Sequence, residues 1–337
     1  MDTHLLESQV GGHAGVMTTE DGSLIIKPAM LQELEFYQAL QSNSALAALR
    51  PYTPNFLGTL KLQGTIDPAE KDAAEGLVKL QPAMDQKESI VLENLTFPFL
   101  RPNILDVKLG TVLYAEGASP EKIARMEKTA QETTSATTGI RLTGFQVYDN
   151  ITGKPVNTPK AYGKSIRPAD LSDGIANFFP VGTFVPPSLQ TVMSSSGLPR
   201  DTLILVLRAI RAEVAAIREV LATLEFRMVG GSLLIIYEAE WARAAESIKK
   251  YLEHEEEEIL AEEEEEEDDE EDDEDEDPEI KLGPPLLVKL IDFAHTALKP
   301  GEGPDKGILS GVDTLLKLLD GRLEDLGPLS PPPASPT

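Results

Sequence analysis

Residues 102–110, PNILDVKLG, place an acidic and a basic side chain two positions apart in a mostly apolar segment. On a β-strand alternate side chains face the same way, so Asp106 and Lys108 would share one face and stand about 7 Å apart. A lysine can stabilise charge on a phosphoryl group in transfer, and a carboxylate can accept a hydroxyl proton or hold a nucleotide. The two residues alone are better explained as an ion pair on a partly exposed strand. The choice between an ion pair and a phosphoryl-transfer site therefore depends on the residues around them.

The spacing PxxxDxKxG is much more specific than this pair, and chance rarely produces it in a chain of 337 residues. It is the signature of the inositol polyphosphate kinase family, and further segments resemble motifs of that family in the same order. They are DGSLIIKP with ELEFY (21–28 and 33–37), LENLT (92–96), GGSLLIIYE (230–238) and LIDFAHT (290–296). The resemblance extends from about residue 20 to 320. It implies ATP-dependent phosphorylation of inositol phosphates by a fold related to protein kinases.

The elements that must position these residues form two groups, which predicts a two-lobed, protein-kinase-like α+β fold. In the small N-terminal lobe we expect a strand around Lys27, a helix at 31–40 and strands at 76–82 and 89–96. In the larger C-terminal lobe, apolar residues of 200–225 recur every three or four positions, which predicts the longest helix. The expected boundaries are 1–20 for a flexible N-terminus, 21–97 for the lobe that clamps ATP, 98–252 with 278–326 for the catalytic and substrate lobe, 253–277 for an acidic disordered insertion and 327–337 for a disordered tail.

The resemblance assigns the nucleotide site to the cleft between the lobes. Lys27 is expected to contact the phosphates of ATP, as a strand lysine does in kinases generally. A carboxylate of the following helix would pair with it, and both Glu33 and Glu35 remain candidates. The segment LENLT resembles the hinge of the family, whose backbone groups contact adenine. Its candidate residues are Glu93, Asn94 and Leu95.

The resemblance also gives roles to the reacting groups. Asp106 corresponds to the family aspartate near the ribose and the reacting hydroxyl, and Lys108 to the lysine that contacts both the substrate and the transferred phosphate. Asp292 corresponds to the aspartate that holds magnesium on the phosphates. Ser232 is the remaining hydroxyl of the SSLL-type motif at the metal site, because Gly231 stands where the family usually has a first serine. This departure predicts reduced activity if that serine orders the metal.

Inositol phosphates carry several nearly dianionic phosphates, so their site needs positive charge. A helix is predicted to begin at Ser119, and the unpaired amides at its N-terminus favour anions. A second basic cluster lies at 160–167, in PKAYGKSIRP. The resemblance places a histidine of LIDFAHT against the substrate as well. Beside Lys108, the substrate-binding candidates are Lys122, Arg125, Lys128, Thr129, Lys160 and His295. Outside Lys122, a solvated surface cation is an equally good explanation for the basic residues.

The net charge of −27 comes mainly from one segment. Residues 253–277 contain 21 acidic and no Lys or Arg side chains, and without them the charge would be −27 + 21 = −6. Such a block repels itself and stays solvated, which favours a spacer, although a docking segment for basic nuclear proteins is the alternative. The chain has no cysteine, which excludes disulfides and zinc–cysteine sites. It has no apolar run that could span a membrane and no secretory signal, so we expect a protein of the nucleus and cytoplasm. The family resemblance implies a monomer, and we expect no direct binding of nucleic acid.

Within the family, the short connections after residues 110 and 149 leave no room for the large substrate lobe of the trisphosphate 3-kinases. A compact, open site favours a multikinase, which would convert inositol trisphosphate to tetrakis- and pentakisphosphate with ATP and magnesium. The acidic insertion is similar to that of fungal members. An inositol hexakisphosphate kinase that makes pyrophosphates is the second choice. The non-enzymatic alternative is an acidic nuclear scaffold or transcription co-regulator with a weak or inactive kinase body.

Overall fold

A computed structural model describes residues 3–5, 16–61, 64–66, 80–82, 88–183, 196–264 and 283–331. These parts of the chain form two five-stranded antiparallel sheets, two two-stranded sheets and several helices, which confirms the α+β class. The strands are β1 (Thr3–Leu5), β2 (Met17–Thr19), β3 (Leu24–Pro28), β4 (Phe56–Lys61), β5 (Gly64–Ile66), β6 (Leu80–Pro82), β7 (Glu88–Glu93), β8 (Pro102–Leu109), β9 (Ile140–Asp149), β10 (Lys154–Thr158), β11 (Phe226–Met228), β12 (Ser232–Glu238), β13 (Leu286–Ile291) and β14 (Thr296–Leu298).

The helices of the described residues differ greatly in how much of their surface is buried. The longest, α6, buries an apolar stripe of nine residues, whereas α2 buries only Ala130. They are α1 (Leu31–Ser42), α2 (Pro120–Glu132), α3 (Ser135–Thr138), α4 (Lys160–Ser165), α5 (Leu171–Phe178), α6 (Arg200–Thr223), α7 (Trp241–Glu264) and α8 (Lys306–Leu326). Two 3-10 segments, Ser44–Tyr52 and Pro168–Asp170, complete the set. None of the helices described is long and apolar enough to cross a membrane.

The N-terminal lobe contains the sheet β1-β2-β3-β7-β4, and Tyr37 of α1 stacks on Phe56 of β4. In α1 the buried side chains include Leu34, Phe36, Tyr37 and Leu40, which recur at helical spacing and face the core. Phe36 and Tyr37 both contact the ring of Phe293 from the C-terminal lobe, at centroid distances of 4.6 and 5.5 Å. These aromatic contacts join the helix of one lobe to the segment after β13 in the other.

The C-terminal lobe contains the sheet β10-β9-β8-β12-β13, in which β8 is the central strand. One face of this sheet packs on α6 and α8 and forms the main core. The other face carries Asp106 and Lys108 of β8 and opens toward the cleft between the lobes. Two ion pairs, Arg211–Asp320 and Arg218–Asp313, hold α6 and α8 together at 2.9 and 3.0 Å. Strand β8 is therefore fixed by a paired strand at each edge and by the helices packed on one face of the sheet.

The N-terminal boundaries predicted from sequence need two corrections. Part of the N-terminus predicted to be flexible forms β1 and β2, because strand pairing uses backbone groups and needs no apolar pattern; Thr18 and Thr19 are buried. The strand predicted at 76–82 is present only as β6, which pairs with β5 outside the main sheet, and residues 76–79 lie outside the described part. The sheet position beside β7 is instead taken by β4, which the sequence reading missed.

The C-terminal boundaries also differ from the prediction. The acidic segment does not begin as a loop at residue 253, since α7 continues to Glu264. Ala244 and Ile248 of this helix are buried, so packing starts a helix that glutamate, a good helix former, can continue. Residues 265–277 lie outside the described part. The start of the predicted tail is held as well: Arg200 donates to the Pro328 carbonyl, and residues 332–337 are not described.

Candidate functional site

Asp292 follows the last residue of β13 with a backbone φ of 66°. It is the only non-glycine residue with a positive φ among those described. Aspartate tolerates this left-handed conformation better than most residues, whereas a branched side chain would be strained. The turn directs the carboxylate back across the end of the sheet into the cleft.

Two lysines, one from each lobe, converge on this aspartate. Its Oδ1 lies 3.3 Å from Nζ of Lys27 on β3, and its Oδ2 lies 2.9 Å from Nζ of Lys108 on β8. Lys27 also pairs with Glu33 of α1 at 2.7 Å. The structure thus selects Glu33 over Glu35, because Glu33 is buried and Glu35 is exposed. The predicted residues Lys27, Lys108 and Asp292 are brought together in one network.

The electrostatics of this network keep Asp292 ionised. Burial alone would raise the pKa of its carboxyl, but the ammonium groups of Lys108 and Lys27 overcome that effect and hold the pKa at about 2. Burial opposes the charge of Lys27 too, yet Asp292 and Glu33 together raise the pKa of its ammonium. The carboxyl of Asp292 and the ammonium of Lys27 are therefore both charged at neutral pH.

A backbone carbonyl gives Lys108 a second fixed partner. Its Nζ donates to the carbonyl of Gly230 at 2.7 Å, in the turn that precedes β12. The neighbouring Gly231, which replaces the first family serine, has no room for a side chain, because a Cβ there would overlap the side chain of Met228. Met228 is buried and occupies the space that a serine would need. In this chain the side chain of Met228 packs against Gly231.

Asp106 lies on the same face of β8 as Lys108 but deeper, with 1% of its surface exposed. Burial raises the pKa of its carboxyl, and the positive charge of Lys108 opposes this. Lys160, predicted as a substrate residue, lies close enough for its positive charge to lower the pKa of Asp106 as well. The hydroxyl of Ser232 lies beside this carboxyl but forms no hydrogen bond of regular geometry.

Arg141, on the strand β9 beside β8, is a further cation near Asp106 that was not predicted from the sequence. It is the β9 residue in register with Lys108, it is half-buried, and its charge acts on Asp106. Burial lowers the pKa of its guanidinium, so it favours a nearby anion. The alternation of RLTGF would have placed it on one face of a strand. The partner strand and the register, which the sequence alone does not give, were needed to place it beside the motif.

The residues of the predicted hinge form hydrogen bonds that fix the backbone of this segment. Glu93 accepts hydrogen bonds from the N–H and the side-chain amide of Asn55 at 3.0 and 2.9 Å. Asn94 donates to the carbonyls of Ser23 and Gly22. The N–H of Leu95 has no hydrogen-bond partner within the described residues. A small apolar cluster lies next to it and has partly exposed members that could cover a flat ring; it contains Leu95, Phe99, Ile104 and Ile236, with Leu234, Leu287 and Ile291 at its edge.

The predicted substrate residues of α2 lie outside this network. No ion pair within the described ranges involves Lys122 or Arg125, and Lys128 pairs with Glu132 on the helix surface at 3.7 Å. The hydroxyl of Thr129 donates to the carbonyl of Arg125, one turn back. These assignments stay predictions. His295 lies between the Asp292 turn and β14, where its carbonyl accepts the N–H of Val229.

Comparison with known proteins identifies the group to which this site belongs. The sequence model of the inositol polyphosphate kinases matches residues 89–320. The chain belongs to the inositol polyphosphate kinase family. An inositol polyphosphate multikinase of Saccharomyces cerevisiae is 34% identical over 365 residues, which cover 94% of this chain and 99% of the yeast protein. A human inositol hexakisphosphate kinase 1 is 28% identical over 68% of this chain, and the aligned part is 52% of the human protein.

Solved structures of this family confirm the fold. A crystal structure of the S. cerevisiae inositol phosphate multikinase in complex with ADP and Mn²⁺ superimposes with a TM-score of 0.59 at 28% identity. It covers 90% of this chain and all of the yeast chain. A second inositol phosphate multikinase structure has a TM-score of 0.52 at 18% identity, over 86% of this chain. The resemblance inferred from the motifs is confirmed over nearly the whole chain.

The residues of the cleft fit a divalent metal that arrives with a nucleotide. No group of three or more acidic or histidine side chains that could hold a metal occurs in the described parts of the chain. Mg²⁺ in kinase sites uses only one or two carboxylates, together with water and the phosphates themselves. A single ionised carboxylate, Asp292, meets that requirement, and Ser232 is the nearest predicted hydroxyl.

Proposed function

We propose that this protein is an inositol polyphosphate multikinase, which transfers the γ-phosphate of ATP to hydroxyls of soluble inositol phosphates. The observation that carries the proposal is the convergence of Lys27 and Lys108 on the ionised carboxylate of Asp292. Two cations and one anion, supplied by both lobes, are the charges that a nucleotide triphosphate with its metal requires. The high coverage of a multikinase relative supports the choice of branch.

The side chains of the cleft divide the work of phosphoryl transfer. Lys27, held by Glu33, binds phosphate oxygens of the nucleotide, and Lys108 binds the transferred group from the acceptor side. Asp292 would hold the divalent metal, which we propose is Mg²⁺. Bound there, the metal neutralises charge that builds up on the phosphates during transfer. Because both lysines already lie within 3.3 Å of Asp292, little rearrangement is needed when the nucleotide replaces it as their partner.

Asp106 is placed to act on the acceptor hydroxyl. Burial raises the pKa of its carboxyl, and a carboxylate with a raised pKa is a better proton acceptor. It therefore suits the removal of the hydroxyl proton or the orientation of that hydroxyl and the ribose. Arg141 and Lys160, whose charges act on Asp106, line the side from which an anionic inositol phosphate approaches. The cations of α2 and His295 would bind its remaining phosphates.

The adenine would lie against the hinge. The Leu95 N–H is a donor without a partner in the described structure, and the apolar cluster beside it offers a surface for a flat ring. A donor at the edge and apolar contacts on the face are what a purine base uses in a kinase cleft.

A substrate panel tests this function. Inositol trisphosphate, tetrakisphosphate, pentakisphosphate and hexakisphosphate are offered with ATP and Mg²⁺ to wild type, Lys108→Ala and the matched control Lys317→Ala. Lys317 is an exposed α8 lysine far from β8 in sequence. We expect stepwise conversion of the trisphosphate to the pentakisphosphate by wild type and Lys317→Ala, and at least a hundredfold loss for Lys108→Ala.

The other outcomes of this panel are equally informative. Turnover of the hexakisphosphate alone would move the protein to the pyrophosphate-forming branch. A folded wild type that phosphorylates none of the four would contradict the enzyme and leave the acidic scaffold as the remaining candidate.

We also propose that the acidic segment binds basic nuclear proteins and that the protein works as a monomer in the nucleus and cytoplasm. The support for the binding of basic proteins is the concentration of 21 acidic side chains in residues 253–277, whereas the monomer is the expectation for the family. Deletion of 265–277 should remove salt-sensitive binding to a histone without changing turnover of inositol trisphosphate. If the function of the protein in cells is lost on Lys108→Ala but kept on deletion of the acidic segment, that function depends on the kinase activity. The reverse result would favour the scaffold.

A further inference from the structure

The linker between the lobes, residues 94–101, is held by one buried carboxylate. Glu238, the last residue of β12, is 1% exposed. Its Oε2 accepts the N–H of Leu100 at 2.8 Å, and its Oε1 accepts the N–H of Arg101 at 3.0 Å. Oε1 also accepts the N–H of Glu240 at 2.9 Å. A buried carboxylate with three such hydrogen bonds fixes the backbone that it binds, because losing it would leave buried amides unpaired.

Arg243, in the first turn of α7, holds the same linker from another side. Its Nη2 donates to the carbonyl of Pro98 at 2.9 Å, and its Nε lies 3.6 Å from Oε2 of Glu238. The chain that leads into β13 packs at this point too, because a Cβ at Gly283 would overlap the Pro98 carbonyl oxygen. The linker is therefore enclosed by β12, by α7 and by the segment before β13.

The linker needs this anchor because its own side chains supply little packing in its C-terminal half. Phe97 and Leu100 are 55% and 58% exposed. Of the apolar side chains in the linker, Leu95 and Phe99 are buried, and they join the apolar cluster with Ile104 and Ile236. Side-chain burial thus fixes two points of the linker, and hydrogen bonds from Glu238 and Arg243 fix the backbone between and after them.

We propose that Glu238 and Arg243 are positioning residues for the nucleotide. They hold the linker so that the Leu95 N–H and the apolar cluster present one fixed edge and one fixed surface to adenine. This inference rests on the proposed use of ATP, and it extends that function to residues that touch neither substrate. It also connects α7, whose far end is acidic, to the nucleotide side of the cleft.

Nucleotide affinity and base preference test the proposal. ADP binding is measured by calorimetry, and KM and kcat are measured with ATP and with GTP. The variants are Glu238→Gln, Arg243→Met and the matched control Glu246→Gln, which removes an exposed carboxylate of α7 that pairs with Lys250 on the helix surface. For Glu238→Gln we expect about tenfold weaker ADP binding, a similar rise in KM for ATP and a smaller preference for ATP over GTP. KM for inositol trisphosphate should not change.

A purely structural role gives a different pattern. It would lower the melting temperature and kcat while leaving KM for ATP and the preference for ATP over GTP at wild-type values, and that result in folded Glu238→Gln would overturn the proposal. If Glu238→Gln does not fold, Arg243→Met decides, since it keeps the carboxylate and loses the Pro98 contact. ADP binding needs no acceptor, so this readout still applies if wild type phosphorylates no inositol phosphate. That failure would count against the proposed function alone.

Discussion

Replacing Asp292 by alanine and by glycine separates its chemical role from its backbone role. Both changes remove the carboxylate, so both leave Lys27 and Lys108 without their shared partner at a cost that cancels in the comparison. At a φ of 66° alanine is strained by about 1–2 kcal/mol, whereas glycine is not. Glycine loses about 0.5–1 kcal/mol through the greater freedom of its unfolded chain. The midpoints of these ranges leave a difference of about 0.7 kcal/mol, so we expect Asp292→Gly to be more stable than Asp292→Ala by that amount.

Urea denaturation followed by the fluorescence of Trp241, the single tryptophan, gives the unfolding midpoints. Turnover of inositol trisphosphate should fall at least about a hundredfold in both variants, since each lacks the predicted metal ligand. Gly321 provides the control of opposite sign: it lies within α8 and a Cβ there meets nothing, so Gly321→Ala should stabilise by about 0.5–1 kcal/mol. An Asp292→Ala variant as stable as Asp292→Gly, or more so, would refute the backbone argument. Retained turnover in either would refute the chemical one.

Glu33→Gln should raise KM for ATP several-fold because Lys27 loses its 2.7 Å partner, whereas Glu35→Gln, which changes an exposed carboxylate of the same helix, should match wild type in a nucleotide titration. Equal effects of the two variants would contradict the pairing. Gly163→Ala should destabilise by at least about 2 kcal/mol in urea, because its Cβ would overlap the Leu142 carbonyl oxygen; an unchanged midpoint would show that α4 can move. Chelation of divalent metal should stop phosphate transfer, and added Mg²⁺ should restore it; transfer that persists in excess chelator would exclude the metal role.

Local patterns in the sequence were enough to predict several elements of the fold. The alternation of 102–110 gave β8, and the helical spacing of apolar residues in 200–225 gave α6. Family motifs then supplied the two-lobed α+β class, which structural comparison confirms. Elements without an apolar pattern were missed. The strand β2 is held by backbone pairing, and α7 continues into glutamates from a short buried segment.

The motifs predicted Lys27, Lys108 and Asp292 as site residues, whereas the contacts among them could not be predicted from the sequence. Lys27 and Asp292 are separated by 265 positions, so no local pattern could have paired them. The choice between Glu33 and Glu35 depended on the rotation of α1 about its axis, which is set by packing on Phe293. Arg141 was missed because its place beside Lys108 follows from strand register, a property of two distant segments together.

Strand order in the C-terminal sheet has a consequence for how the chain acquires activity. Strand β8 lies between β9, which follows soon after it, and β12, which begins only at Ser232. During synthesis β8 therefore waits on the order of ten seconds with one edge unpaired. An unpaired edge invites association with other chains, so we expect newly made protein to depend on chaperones during this interval. Lys108 and Asp106 gain their final surroundings only when nearly all of the chain has left the ribosome.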